Sequence, residues 1–298
     1  MCGIVGLFAK SFEVEERLGE HLAAMLVQMS SRGPDSAGLA VFSEPVPSPQ
    51  HKLSLYSSGA EVDWSQLLDR LSMGIEYPHH LSVNANHAVL TTAADPQSVV
   101  AWLGTNAPAI HVLSVGISID LYKDTGAPAA IAERYGFNRL RGTHLVGHTR
   151  MATESAVTPA HAHPFTAGHD FCLVHNGSLS NPHLVRRKLE PLGIRFVTDN
   201  DTEAACRYIE WRMREGDELV TAVHHAFEEL DGFFTFLMGT DRELLIARDW
   251  FACKPAMVAE TDDYVAIASE FRSLAHLPGI RHASVFEPKP AEVYSWRV

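Results

Sequence analysis

Apolar and polar positions follow two periods along this chain, and the period changes from one region to the next. Cys2 to Phe8 alternates weakly and is rich in apolar and β-branched side chains, which predicts a strand. From Glu15 to Ser30, Leu18, Leu22, Met25, Leu26 and Met29 recur every three or four residues, which predicts an amphipathic helix with one buried stripe. Arg32 to Gly38 reads as a polar turn and Leu39 to Phe42 as the next strand. Pro45, Pro47 and Pro49 mark a surface connector. Between Lys52 and Arg141 the pattern is mixed. It predicts strands near Leu53–Tyr56 and Ala88–Thr92, and one long strand near Ile110–Leu121. It also predicts helices near Trp64–Leu71, Ser98–Leu103 and Pro128–Tyr135.

Beyond that, His144–Met151 and Phe171–His175 read as strands. Helices are predicted over Pro182–Leu192, with Asn181 as its cap, then Asp201–Arg214 and Leu219–Leu230. Strands return at Phe233–Met238, Leu244–Ala247, Ala256–Ala259, Tyr264–Ala268 and Glu292–Trp296. No solenoid-length repeat is visible. Strands at both ends with helices gathered between them imply an α+β chain of packed sheets covered by helices. We expect one domain over residues 1–298, with an elaboration at about 45–140.

Composition narrows the functional classes. Hydrophobic residues make up 46% of the 298, enough for a sizeable core. The formal net charge of −12 argues against a nucleic-acid surface and against anionic membranes. No apolar run reaches spanning length: the most apolar region, 101–121, is interrupted by Asn106, Pro108, His111 and Asp120. Met1-Cys2-Gly3 runs directly into the first strand with no export segment, so a cytoplasmic location with reduced thiols is expected. Cys2, Cys172, Cys206 and Cys253 form no CxxC pair, and the last three read as packing residues.

Cys2 is different because of its position. Removal of Met1, favoured when the next side chain is small, leaves a thiol and an α-amine on one residue. An α-amine titrates at about 8, so it can take the thiol proton and later return one to a leaving amine. Standing alone, Cys2 reads as a small buried hydrophobe opening an edge strand, and the functional reading depends on the stretches downstream.

Four other stretches carry candidate chemistry. Arg32 to Gly38 is a glycine-containing turn. Gly147 to Thr153 ends a strand with Arg150 and Thr153, and a guanidinium fork matches a carboxylate. His175-Asn176-Gly177 is either a hairpin turn or a pair of donors for an oxyanion. Asp199 to Ala204 opens a helix, where Asp201 either caps N–H groups or holds an ammonium. The set fits an amino-acid amide, glutamine or asparagine. Arg150 takes its α-carboxylate and Asp201 its α-ammonium, Cys2 attacks the side-chain carbonyl, and Asn176 with Gly177 receives the oxyanion.

These pieces, with His163-Pro164 and Asp201-Thr202-Glu203, occur in an order that resembles the class II, N-terminal-nucleophile glutamine amidotransferases. Ala247-Arg248-Asp249, Lys254-Pro255 and Ala268-Ser269-Glu270 resemble that family's closing strands. The resemblance implies a four-layer α/β/β/α sandwich of two antiparallel sheets. It implies Cys2 as nucleophile with its amine as base, and Asn176 and Gly177 as the oxyanion hole. Arg32, Arg150, Thr153 and Asp201 would form the glutamine site, with Arg32 helping to order it. Two positions depart from the pattern: Met151 stands where an aromatic residue is usual, and Glu154 where a small residue or His is expected.

Within that family the stretch Gly142 to Ser155 looks most like the stand-alone amidotransferase subunit of split glutamate-synthase-type systems such as N-methylglutamate synthase. The implied partners are L-glutamine and a separate synthase subunit that accepts ammonia. No cofactor or metal is expected in this chain, and any FMN would belong to the partner. Three alternatives stay open from residues alone. One is a non-catalytic regulatory or scaffolding subunit, and another is a hydrolase of a different amide. The third is a metal-binding protein using His161, His163, His169, Cys172 and His175.

Overall fold

The structure is a computed structural model and describes residues 2–58, 62–152 and 156–298. The apolar run behind Cys2 forms β1 (Gly3–Ala9), buried along its whole length. Next come α1 (Phe12–Glu16), α2 (Leu18–Gln28) and β2 (Ser36–Phe42). The single helix expected over 15–30 is instead broken at Arg17, whose φ of −113° leaves the helical region. The stripe survives in α2 and the residue that follows it. Leu18, Leu22, Met25, Leu26 and Met29 are fully buried and belong to one core with Val5, Leu7 and Leu145. Burying each such side chain is worth roughly 1.5–3 kcal/mol.

The middle of the chain forms β3 (His51–Ser57), α3 (Trp64–Gly74), β4 (His79–Asn84), β5 (His87–Thr92), α4 (Pro96–Asn106) and β6 (Ile110–Gly116). Then follow β7 (Ile119–Thr125), α5 (Pro128–Arg134), β8 (His144–Arg150), β9 (Phe165–Thr166) and β10 (Cys172–Leu179). Three helices, α6 (Pro182–Leu189), α7 (Asp201–Arg214) and α8 (Leu219–Glu229), lead to β11 (Gly232–Gly239) and β12 (Glu243–Arg248). The chain ends with β13 (Met257–Glu260), β14 (Tyr264–Ala268), β15 (Ser284–Phe286) and β16 (Val293–Arg297).

These strands build a seven-stranded sheet ordered β15-β13-β14-β1-β8-β2-β7 and a five-stranded sheet ordered β16-β12-β11-β10-β9. Every pairing in both is antiparallel. Ile4, Phe8 and Val146 from the first sheet meet Val174, Leu237 and Ile246 from the second in an apolar layer. α2 and α5 cover the outer face of the first sheet. α6, α7 and α8 cover the outer face of the second. This is the helix/sheet/sheet/helix sandwich expected from the resemblance.

The middle segment makes a third sheet, ordered β4-β5-β3-β6, with α3 and α4 packed on one face. Its succession is strand–helix–strand–strand–helix–strand, a ferredoxin-like unit. Asp63 and Asp95 cap the two helices through their side chains. β4 has too little alternation of apolar residues to read as a strand from sequence. Ser54 Oγ accepts the Leu121 N–H at 2.9 Å, which seats the unit on β7.

Two further expectations change. The long strand predicted over Ile110–Leu121 is two strands in different sheets. Asp170, 51 to 53 residues downstream, accepts the N–H groups of Ile117, Ser118 and Ile119 at 2.7–2.9 Å and holds the turn between them. Asn181 does not cap α6. Its amide bridges away instead, accepting from Asp231 N–H and donating to the Glu229 carbonyl. No helix among the described residues is long and apolar enough to cross a membrane.

Candidate active site

Strand register brings Cys2 and Arg150 together. β1 and β8 pair with Gly3 opposite Thr149 and Ile4 opposite His148, so Cys2 falls opposite Arg150. Ile4 and Val146 face the layer between the sheets, and alternation puts Cys2, His148 and Arg150 on that same face. Two side-chain bonds then align the two sheets. His144 Nε2 donates to the Thr240 carbonyl at 2.8 Å, and His148 Nε2 to the His175 carbonyl at 3.0 Å. Thr240 follows Gly239, which pairs with Cys172. β10 therefore runs beside β8 in the same direction, and Asn176 lies at the end of the sandwich that carries Cys2 and Arg150.

Asn176 is inside a strand, paired with Thr235, and not in the hairpin turn that an Asn-Gly pair suggests. It shares the inner face with Val174. Its side chain is 2% exposed, and its Nδ2 is buried without a hydrogen-bond partner among the described residues. Gly177 has no room for a side chain: a Cβ there would sit 2.1 Å from the Phe233 carbonyl oxygen.

The Arg32 turn braces Cys2. Arg32 Nε donates to the Cys2 carbonyl at 2.9 Å, and Nη1 bonds Glu270 at 2.7 Å. Glu270 also pairs with Arg272. Asp35 holds the chain just past β8, with its N–H on the Arg150 carbonyl and its Oδ2 accepting from Ala152 N–H at 2.8 Å. Gly33 lies against the same backbone, where a Cβ would meet the Thr149 carbonyl carbon at 2.3 Å. The Cys2 thiol is half-buried, its Sγ 3.9 Å from the Met151 carbonyl.

Arg150 is buried, and burial draws its guanidinium below the ordinary value. The charges of Cys2, Asp35, Asp201 and Asp199 oppose that shift. The carboxylates that could face a bound amino acid are thus within electrostatic reach of Arg150. Asp201 opens α7. Its Oδ2 accepts the Leu179 N–H at 2.9 Å, and its Oδ1 is 3.3 Å from Thr202 Oγ1. Asn200, not Asp201, caps the helix by accepting from Thr202 N–H. Glu203 accepts from Val197 N–H and Thr198 N–H and fixes the loop ahead of the helix. Thr153 and Glu154 lie outside the described residues.

The five residues of the metal-binding alternative do not converge. His163 and His175 both bond Thr202 Oγ1. Cys172 faces the apolar layer between the sheets, and His169 packs against His51. Among the described residues, no three His, Cys, Asp or Glu side chains are placed to share a metal ion. Cys172 and Cys206 are buried, and burial pushes the Cys206 thiol up to about 12. Cys253 is exposed, contrary to its reading as a packing residue. A cleft of about 570 Å³ opens around Lys10, Arg17, His21, Glu260, Asp263 and His282. It lies at the far end of β1 from Cys2 and is lined by none of the candidate residues.

Sequence reasoning missed the groups that hold these parts in place: Asp35, His148, His163 as a hydrogen-bonding group, and Thr202. His148 alone was within reach of local pattern, two residues before Arg150 and so on its face.

Comparison with known proteins identifies the family. A model of the glutamine amidotransferase domain matches residues 148–276. The chain is 46% identical over 298 residues to the glutamine amidotransferase-like protein GlxB of Rhizobium meliloti, covering 99% of this chain and 98% of that protein. It is 31% identical over 313 residues to a putative glutamine amidotransferase of Methanothermobacter thermautotrophicus, covering 99% of each. Among solved structures, the glutamine phosphoribosylpyrophosphate amidotransferase of B. subtilis superposes with a TM-score of 0.62 at 18% identity. That match covers 99% of this chain and 49% of the other, and it is a likeness of fold.

Proposed function

This chain belongs to the class II glutamine amidotransferase family, and from that premise we propose that it releases ammonia from L-glutamine through a thioester on Cys2. In this reading the α-amine of Cys2, freed by loss of Met1, takes the thiol proton. Sγ then attacks the side-chain carbonyl carbon of glutamine. The oxyanion is received by Asn176 Nδ2 and the Gly177 N–H, donors already in place when charge develops. The protonated amine gives its proton to the leaving nitrogen, and ammonia departs as the carbonyl re-forms. Water, activated by the same amine, attacks the thioester and releases glutamate. Arg150 takes the substrate carboxylate and Asp201 its ammonium, with Thr153 as a further substrate-binding residue.

The observation that carries this reading is the Asn176 amide. It is a buried donor with no protein acceptor among the described residues, on the inner face opposite the strand end that bears Cys2. Such a group is costly unless a ligand uses it. The test is glutamate release from glutamine by wild type and by Cys2→Ala, with the intact mass of each. Wild-type turnover with Met1 absent, and none in Cys2→Ala, is expected. Equal rates would overturn the assignment.

We further propose that the ammonia is used by a separate synthase subunit of the glutamate-synthase or N-methylglutamate-synthase kind. Supporting this, segments at the strand ends on the Cys2 side of the sandwich carry exposed apolar side chains. Met151, Phe233, Trp250, Phe251 and Phe271 are each 38–76% exposed. The segment with Trp250 and Phe251 is held from beneath by Asp249, which accepts from Phe234 N–H and Phe251 N–H at 2.7 Å. A firm apolar rim beside a reactive site suits a covering partner. Co-purification with such a subunit, and faster glutaminase turnover in its presence, would support the proposal. Full turnover by the isolated chain, unchanged on adding the subunit, would count against it.

A further inference from the structure

β10 has an open side where the proposed chemistry lies. Its neighbour β9 pairs only with Cys172 and Leu173, while β11 pairs along the whole strand. In an antiparallel strand, alternate residues direct N–H and C=O to alternate sides. Leu173, His175, Gly177 and Leu179 therefore share one side, and among the described residues only Leu173 has a strand beside it there. Buried backbone groups on that side need other partners.

Side chains supply them. The Leu179 N–H goes to Asp201 Oδ2 at 2.9 Å. The His175 carbonyl accepts from His148 Nε2 at 3.0 Å, and the His175 N–H donates to His163 Nδ1 at 3.3 Å. These two imidazoles come from separate elements, β8 and the segment before β9. They stack with centroids 4.1 Å apart and planes 16° apart, and both are buried. His163 Nε2 reaches Thr202 Oγ1 at 3.4 Å, and Thr202 Oγ1 meets His175 Nδ1 at 3.0 Å, so the cluster closes on the start of α7. Held on both sides by these clamps, Gly177 presents its N–H at the intervening position.

We propose that His148 and His163 are positioning residues that stand in for a missing strand, clamping the main chain of His175 so that the Asn176 amide and the Gly177 N–H converge on the oxyanion. The inference rests on the glutaminase reading above. His148 shares β8 with Arg150, so the strand that grips the substrate carboxylate also anchors the oxyanion strand. The donor required is a single N–H at the Nε2 position. Glutamine can place its amide nitrogen there, asparagine reaches only as far as Nδ1, and leucine has no donor.

The test compares His148→Gln, His148→Asn and His148→Leu for kcat, KM and melting temperature, with Cys2→Ala as the reference for the reaction itself. A misaligned oxyanion donor weakens an interaction made only in the transition state. His148→Leu and His148→Asn should therefore lose roughly 10- to 100-fold in kcat, with KM within about threefold. His148→Gln should recover most of the loss. If His148→Leu does not fold, the Gln and Asn pair carries the comparison, being equally polar. Gln no better than Asn, or a change in KM alone, or kcat at the wild-type level in every variant, would overturn the clamp. If Cys2→Ala were as active as wild type, the glutaminase reading would fall first.

Discussion

Replacing Asn176 with Ala separates a catalytic amide from a structural one, because the two predict opposite changes in stability. The Nδ2 group is buried and unpaired among the described residues, in a side chain 2% exposed. Burying a polar group without a partner costs about 1–3 kcal/mol, and Ala relieves that cost. The small void left behind costs roughly 1 kcal/mol. The folded state should be unchanged or more stable by up to about 2 kcal/mol. Activity should move the other way. Loss of one oxyanion donor removes about 3 kcal/mol of transition-state stabilisation, a 100- to 1,000-fold fall in kcat. KM should stay near the wild-type value, since the ground-state carbonyl gains little from this donor. Urea unfolding and glutamate release at saturating glutamine measure both quantities on one preparation. A variant that loses more than about 1 kcal/mol of stability while keeping kcat within threefold would refute the argument.

Other outcomes follow from the same structure. Gly177→Ala should abolish turnover, because its Cβ would meet the Phe233 carbonyl oxygen at 2.1 Å and push β10 off β11; wild-type kcat in this variant would contradict the tight fit. Stability should fall on acidification. Burial holds His87 and His144 near 4 and His148 near 3, below the ordinary 6.5. The unfolded chain therefore binds more protons below pH 6.5, so the stability is whole above 6.5 and drains as pH falls toward 4 and 3. Each contributes a loss of roughly 2 kcal/mol by pH 5, and a urea midpoint that stays flat from pH 7 to 5 would count against neutral buried imidazoles. Lys52→Met should cost about 3 kcal/mol by stranding Asp120, whose carboxyl burial already pushes up and Lys52 draws back. The double variant Lys52→Met with Asp120→Leu should regain most of that loss; equal loss in both would deny the pair its role in seating the third sheet.

Local pattern alone determined a good deal of this protein. The stripe of α2, the span of α7 and the strand Tyr264–Ala268 follow from side-chain periodicity, because burial on one face imposes spacing wherever the chain folds. The order of Cys2, Arg150, Asn176 and Asp201 likewise carries the family, since each residue type suits one part of an amide substrate. What lay beyond the sequence depends on partners distant along the chain. Ile110–Leu121 reads as one apolar strand until Asp170 collects three N–H groups at its middle and sends the halves to different sheets. Asn176-Gly177 reads as a turn until β11 pairs across it. Nothing in the local pattern joins His148 to His163 until their rings stack and both bond the His175 main chain. Hydrophobic spacing records which face of an element is buried. Which polar group completes which backbone is decided only when the elements pack, because unpaired donors and acceptors are satisfied by whatever side chain the packing brings within 3 Å or so.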